Sequence, residues 1–119
     1  MRENTMINGK HQKSWGKFCE IFGVTPRNRI LEFFLEMREL DFPVGEVAKE
    51  IELPRATAYA AMEELLQRGY LITSRMVSGG QFYKLDQSKE EVQLLVQSFN
   101  FILQGIAQQH QGMEMQLKR

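Results

Sequence analysis

Three residues near the start of a predicted helix carry side chains that can bind a polyanion: Arg55, Thr57 and Tyr59. An arginine grips a guanine edge or a phosphate through its N–H donors, and its ordinary alternative is a solvated surface side chain. A threonine contacts a phosphate or a thymine methyl group, or bonds back to its own helix start. Tyr59 is out of phase with the apolar Ala58 and Met62, which favours an exposed ring over a packed one.

A second group of polar side chains lies on either side of a glycine-rich turn signal. Arg75, Gln81 and Lys84 flank the stretch "SGG". These residues could contact a phosphate backbone from both sides of the turn and contribute salt-dependent affinity for a polyanion. Alternatively, they are charged and polar hairpin edges that discourage pairing with other strands.

Two more cations, Arg27 and Arg29, fall in the first turn of another predicted helix. Cations at a helix N-terminus oppose the helix dipole, which costs free energy. An anionic partner such as a phosphate would relieve that cost, and so would a neighbouring acidic side chain. We therefore add both arginines to the candidate polyanion-binding residues.

The sequence offers no grouping that supports catalysis. It contains no phosphate-binding glycine loop, nucleophile elbow or Ser/His/Asp set, so we expect no enzyme. His11 and His110 are far apart and lack further ligands at metal spacing, so no metal site and no cofactor are predicted. Cys19 is either a redox sensor or a buried thiol, and its neighbours Phe18 and Phe22 favour burial.

Apolar spacing predicts helices that end or begin at recognisable signals. Thr25 is a plausible N-cap with Pro26 at the first helical position, and Gly69 is a stop signal. The predicted helices cover residues 14–23, 25–40, 43–51, 54–68 and 88–110. A short helix, a tight turn and a second helix at 43–68 form a helix-turn-helix arrangement.

Between the last two helices the hydrophobic period changes to that of strands. Residues 70–77 and 81–86 are short β-rich segments around "SGG", which predicts a β-hairpin with glycine where positive φ is needed. A hairpin directly after a helix-turn-helix is a wing, here at residues 70–86. The predicted fold class is mainly α with a β-hairpin, a winged helix-turn-helix.

Composition and charge set the remaining bounds. The chain has 119 residues, 43% hydrophobic and 25% charged, which fits one soluble domain with a modest core. The net charge is zero, but residues 1–29 carry six Lys or Arg against two Asp or Glu, and residues 55–84 carry four against two. These two basic blocks are the candidate faces for a polyanion.

Several features predict a cytoplasmic protein without a membrane partner. The N-terminal stretch lacks the apolar core of a signal peptide, and no apolar run has the length of a membrane span. A single cysteine excludes an intrachain disulfide. We expect a flexible segment at 1–13, one domain at 14–110 and a flexible tail at 111–119.

The stretch "PVGEVAKEIELPRATAYAAMEELLQRGYLITSR" resembles the winged helix-turn-helix of bacterial and archaeal transcription regulators of the MarR-like and TrmB-like kind. "FGVTPRNRILEFFLE" and "GGQFYKLD" are similar to what precedes and follows it in small archaeal members, so the resemblance covers about residues 20–105. It implies that helix 54–68 reads the major groove with the positions of Arg55, Thr57, Tyr59 and Ala60 facing DNA. It also implies that the hairpin lies on the backbone or minor groove, and that the flanking helices build a two-fold dimer.

The last predicted helix is too long for the rest of so small a domain to cover. Its apolar side chains continue to its end, and a two-fold partner would bury them together with the helix at 14–23. The predicted dimer-interface residues are Trp15, Phe22, Leu95, Phe99, Ile102, Leu103 and Ile106.

The sequence thus predicts a homodimeric transcription regulator that binds double-stranded DNA sequence-specifically. The alternative is a winged helix that serves as a protein-interaction module without an operator. Zero net charge, a wing tip of glycines and the small Ala56, Ala60 and Ala61 support that alternative. The sequence identifies no operator, no effector and no sign of regulation.

Overall fold

Between residues 15 and 117, the chain forms five helices and one two-stranded antiparallel sheet. The computed structural model describes the backbone over that range and the side chains of residues 15–105. In chain order the elements are α1 (Lys17–Phe22), α2 (Pro26–Glu36), α3 (Val44–Glu50), α4 (Arg55–Gln67), β1 (Leu71–Val77), β2 (Gly80–Leu85) and α5 (Glu90–Leu117). The elements follow the predicted order, which confirms the fold class. The segment 1–13 lies outside the described residues, and the bounds of the domain stay a prediction.

α2 is the central helix of the fold. It begins as predicted, with Pro26 at its first position and with Thr25 Oγ1 accepting a hydrogen bond from the Asn28 N–H at 3.1 Å. It ends at Glu36 rather than at the predicted Leu40, because the backbone leaves helical geometry at Met37. Five of its apolar side chains are no more than 7% exposed, namely Ile30, Leu31, Phe33, Phe34 and Leu35. α2 is therefore covered on more than one side.

The turn between α3 and α4 is built around Glu52. This residue adopts a left-handed conformation (φ 58°), and the Leu53 N–H bonds the Ala48 carbonyl at 2.9 Å. That bond closes the C-terminus of α3 in a Schellman-type cap. α4 then starts after Pro54 and buries Ala58, Ala61, Met62 and Leu65.

The hairpin follows a second glycine-dependent turn. Gly69 (φ 80°) ends α4, and the Tyr70 N–H bonds the Leu65 carbonyl at 3.0 Å, so the predicted stop signal is confirmed. The strands join through Ser78 and Gly79, which both have positive φ, as a two-residue hairpin turn requires.

A single residue of the linker between α2 and α3 also pairs with the sheet. The Phe42 N–H and carbonyl both bond Tyr83 of β2 at 2.9 Å, which forms an isolated antiparallel bridge. The wing is therefore paired to the linker between α2 and α3 as well as to itself. The sequence pattern did not predict this bridge, because a single bridging residue leaves no alternation to read.

α1 is held at both ends by α2. The Glu32 carboxylate accepts hydrogen bonds from the N–H groups of Gly16 (2.7 Å) and Cys19 (3.2 Å) at the N-terminal end. The Asn28 side-chain amide donates to the carbonyls of Phe22 (3.2 Å) and Gly23 (3.0 Å) at the C-terminal end. Both α2 residues are buried, and these bonds satisfy backbone groups that a short helix leaves open.

α5 is longer than predicted. It begins at Glu90 and continues through Leu117, so the predicted helix end near residue 110 is wrong, while the flexible tail at 111–119 stays a prediction. The stretch after Ile106 contains no proline, and its glutamines and methionines favour helix continuation despite Gly112. At 1.5 Å per residue, 28 residues span about 42 Å.

The predicted dimer interface mixes inward and outward side chains. Phe99 is only 4% exposed and packs at 6.5 Å, ring centre to ring centre, against Phe18 in the core, so its assignment to an interface is wrong. Trp15 and Leu95 are likewise partly buried against the core, and Ile102 is half-buried. Phe22 and Leu103 are exposed, while the Ile106 side chain lies outside the described residues.

Candidate nucleic-acid interface

One side of α4 presents Arg55 and Tyr59 to solvent. The two residues are one helical turn apart, and both are exposed. A Cβ atom added at Gly45 would come within 3.2 Å of Arg55 Nη2, so the guanidinium lies close against the α3 backbone. Within the described part of the chain, neither side chain has a hydrogen-bond or ion-pair partner. Both predicted contacts are thus available to a ligand.

Next to this pair, the surface of α4 carries small side chains. Ala56 and Ala60 are exposed, which keeps the helix slim. Thr57 points to the opposite side from Arg55, is half-buried, and lines an open cleft with Thr25 and Pro26 at the start of α2. The structure therefore brings Arg55 and Tyr59 together and separates Thr57 from them.

Arg27 at the start of α2 is paired with an acidic residue of α4. Its Nη1 lies 2.9 Å from Glu64 Oε2, and the same oxygen accepts from Arg68 Nε at 3.2 Å. Of the two partners expected to offset the dipole cost, the structure supplies the neighbouring carboxylate. Glu64 therefore faces the start of α2 and neutralises charge next to the predicted reading helix.

Arg29 is directed into the protein and not toward a ligand surface. Its Nη2 donates to the Ile51 carbonyl at the end of α3, and its guanidinium stacks 5.4 Å from the Trp15 ring centre. Burial lowers the pKa of Arg29. We leave Arg29 out of the proposed interface, because it joins α2 to the end of α3 and to Trp15, which lies two residues before α1.

The wing arginine is also engaged. Arg75 Nε lies 2.9 Å from Asp41 Oδ2, and its Cζ lies 4.7 Å from the Phe82 ring centre. The Gln81 amide donates to the carbonyls of Arg75 and Phe82 at 3.0 Å, so it braces the hairpin. Lys84 is exposed and has no partner among the described side chains.

The sequence did not identify Asp41 and Glu64 as the acidic partners of the candidate arginines. Asp41 immediately precedes the bridging Phe42, and only the tertiary fold brings it to the wing. For Glu64, its position two turns after Thr57 on one helix face was the available signal. The hydrogen bonds from Arg75 and then from Ser74 lower the pKa of Asp41, so its carboxylate stays ionised.

Cys19 is fully buried, as its apolar neighbours predicted. Burial, followed by the nearby charge of Glu32, raises the pKa of its thiol to about 12. No cluster of three or more potential metal ligands occurs among the described residues, and His11 and the His110 side chain lie outside them. None of the described helices has the length and apolar character needed to cross a membrane.

Comparison with solved structures identifies the architecture. HlyU of Vibrio vulnificus, a transcriptional regulator, is similar with a TM-score of 0.52 and 20% identity over 62% of this chain and 74% of its own. Lactococcus lactis ZitR in its apo form is similar with a TM-score of 0.58 and 13% identity, over 83% of this chain and 71% of its own. HlyU of Vibrio cholerae has a TM-score of 0.53 and 20% identity, over 66% of this chain and 80% of its own. The fold is a winged helix-turn-helix.

A family model locates the same unit in the sequence. The IclR helix-turn-helix domain matches residues 29–74 of the winged helix, from α2 into β1. No curated protein matches the chain by sequence. The matching family model is a helix-turn-helix domain and the Vibrio vulnificus relative is a transcriptional regulator, which agrees with the prediction that the chain is not an enzyme. Together they support a DNA-binding regulator, while the MarR-like or TrmB-like subtype stays a prediction.

Proposed function

We propose that this winged helix is a sequence-specific, double-stranded DNA-binding transcription regulator that acts as a homodimer. The observation that carries the proposal is the exposed side of α4, where Arg55 and Tyr59 have no partner among the described residues and lie beside small alanines. An α-helix with a slim surface fits the major groove, and arginine is a common base-edge donor.

The wing and the start of α2 would supply backbone contacts. Lys84 is free to meet a phosphate, while Arg27 and Arg75 would share their existing carboxylate partners with one. Thr57 and Gln81 remain candidates, Thr57 through the cleft beside α2. With so few unpaired cations on these surfaces of the described residues, one domain would bind weakly, and two half-sites read by a two-fold dimer would multiply the affinity.

The dimer would form through α5. Leu94 and Phe101 are 57% and 74% exposed, and they lie seven residues apart on one helix face. Leu103 and, on α1, Phe22 add further exposed apolar surface. A self-complementary contact with a second copy would bury these side chains. The proposed regulator is of the MarR-like or TrmB-like subtype. We also propose a cytoplasmic location, because Cys19 is a buried free thiol.

The test is selection of bound duplexes from a random DNA pool, followed by mobility shifts across a salt series. A regulator is expected to enrich one motif with two related half-sites and to lose affinity steeply as salt increases. Failure to enrich a sequence, with no salt-dependent shift, would contradict the proposal.

The second candidate is a protein-interaction module. It is favoured by the pairing of Arg27 and Arg75 with carboxylates, which leaves little free positive charge near α4 and the wing. The same salt series separates the two functions, because a protein-interaction module would give no shift of duplex DNA at low salt.

A further inference from the structure

An irregularity in β1 places two consecutive side chains on one acceptor. The strands pair Thr73 with Tyr83 and Met76 with Gln81, so two β1 residues oppose Phe82 alone. Successive side chains of a regular strand point to opposite faces, and a β-bulge relaxes that alternation. The two bulged residues, Ser74 and Arg75, both donate to the Asp41 carboxylate.

Asp41 is well placed to hold the wing. The next residue, Phe42, pairs with Tyr83 through both its backbone groups, which fixes the linker against β2. Asp41 Oδ2 accepts from Ser74 Oγ at 2.5 Å and from Arg75 Nε at 2.9 Å, and Asp41 Oδ1 lies 3.3 Å from Arg75 Nη2. The arginine is thus gripped by two of its three nitrogens.

The grip leaves the outer edge of the guanidinium open. The Arg75 side chain is 59% exposed, whereas that of Asp41 is 18% exposed, so the carboxylate lies beneath and the cation outside. The Phe82 ring supports the guanidinium plane at 4.7 Å. Arg75 Nη1 has no hydrogen-bond partner among the described residues.

We propose that Asp41 is a positioning residue for DNA binding. Asp41 holds Arg75 in the bulge so that Arg75 Nη1 meets a phosphate oxygen of the nucleic-acid backbone. This inference rests on the proposed function. A free arginine loses side-chain entropy when it binds, and an arginine already held by a carboxylate loses less. Asp41 also carries a negative charge that repels phosphate, so the two effects of its removal on DNA affinity have opposite signs.

The experiment compares Asp41→Asn, Arg75→Ala and the double variant by mobility shift across a salt series, with random duplex DNA as the probe. Asp41→Asn should weaken binding by about threefold to tenfold despite the loss of a negative charge. Arg75→Ala should weaken binding and flatten the salt slope by about one unit. In the Arg75→Ala background, Asp41→Asn should cause no further loss.

The matched control is Glu39→Gln, which removes the same charge in the same linker from an exposed side chain. It should leave binding unchanged or slightly stronger. Ser74→Ala, which deletes one donor to Asp41, should give a smaller loss than Asp41→Asn and keeps the test decisive if Asp41→Asn unfolds. Thermal melting reports whether each variant is folded.

Two results would overturn the positioning role: Asp41→Asn or Ser74→Ala binding as tightly as Glu39→Gln, or equal losses with and without Arg75. An unmodified protein that shifts no duplex at low salt would overturn the proposed function, and the positioning role with it. The parent measurement therefore distinguishes the two failures.

Discussion

Arg27 and Glu64 form an ion pair of 2.9 Å that ties the start of α2 to α4. Glu64 also accepts from Arg68, so one carboxylate restrains two arginines beside the proposed reading helix. Both pairs are more than one-third exposed, and such pairs contribute little to stability. Their larger effect is on the positive charge available to a phosphate.

We expect Glu64→Gln to strengthen DNA binding and to steepen its salt dependence, because Arg27 and Arg68 then become free to contact phosphates. The change in unfolding free energy should stay within about 1 kcal/mol. Mobility shifts at several salt concentrations measure the first effect. Glu90→Gln, in the first turn of α5, is the charge-matched control. Equal gains in the two variants would show that net charge alone is responsible.

Arg55→Ala and Tyr59→Ala should each weaken specific DNA binding by about 1–3 kcal/mol, as expected for the loss of a base contact. Melting temperatures should barely change, because both side chains are exposed. Gln67→Ala, an exposed change at the far end of α4, should leave affinity unaltered. Titration of a selected duplex decides the matter, and parent-like affinity in both variants would exclude α4 as the reading helix.

Leu94→Ser combined with Phe101→Ser should give a folded monomer with reduced DNA affinity, because these exposed side chains form the proposed contact between copies. Phe99→Ala should instead destabilise the domain by about 3–5 kcal/mol, as truncation of a buried aromatic does. Sedimentation and denaturant unfolding separate the outcomes. A parent protein that sediments as a single monomeric species at micromolar concentration would rule out the dimer.

Cys19 should resist alkylation in the folded protein and react readily once the chain is unfolded. Its raised pKa, about 12, means that burial favours the neutral thiol. The resulting stability is fully present below the ordinary pKa of 9.0 and is lost as pH rises from there through the folded value. Iodoacetamide labelling at neutral pH followed by mass spectrometry tests the first statement. Rapid native labelling would revive the redox-sensor interpretation.

Glu52→Gly should raise the free energy of unfolding by about 1 kcal/mol, because a left-handed conformation strains a residue that has a Cβ atom. Glu50→Gly, in the last turn of α3, should lower it by a similar amount since glycine weakens helices. Chemical denaturation of the two variants supplies the comparison. Destabilisation by Glu52→Gly would indicate that its attraction to Arg29 outweighs the strain.

Local signals predicted most of the fold. The Thr25–Pro26 helix start, the Gly69 stop and the turn at Ser78–Gly79 each act within a few residues, so spacing alone revealed them. The end of α5 was misjudged because no proline or capping motif marks it. Phe99 was assigned to the dimer interface although it faces the core, because an apolar stripe on a helix does not show whether it packs against the same chain or against a partner.

The candidate site was less predictable because its electrostatics depend on distant partners. Arg27 and Arg75 were predicted as polyanion-binding candidates, and in the structure each meets a carboxylate more than thirty residues away. Arg29 has the same residue type and helical turn as Arg27 but faces the opposite way. Sequence spacing gives the residue types at a surface, whereas the free charge there depends on tertiary pairing.

The caps of α1 have a consequence for the order of folding. Helices shorter than about 12–15 residues are marginal alone in water, and α1 has six residues and no side-chain cap of its own. Side chains that bond its terminal backbone groups come from Asn28 and Glu32, which stand one turn apart on α2. We therefore expect α1 to form only when α2 is in place, and we expect the amide protons of Gly16 and Cys19 to exchange with solvent together whenever α1 detaches.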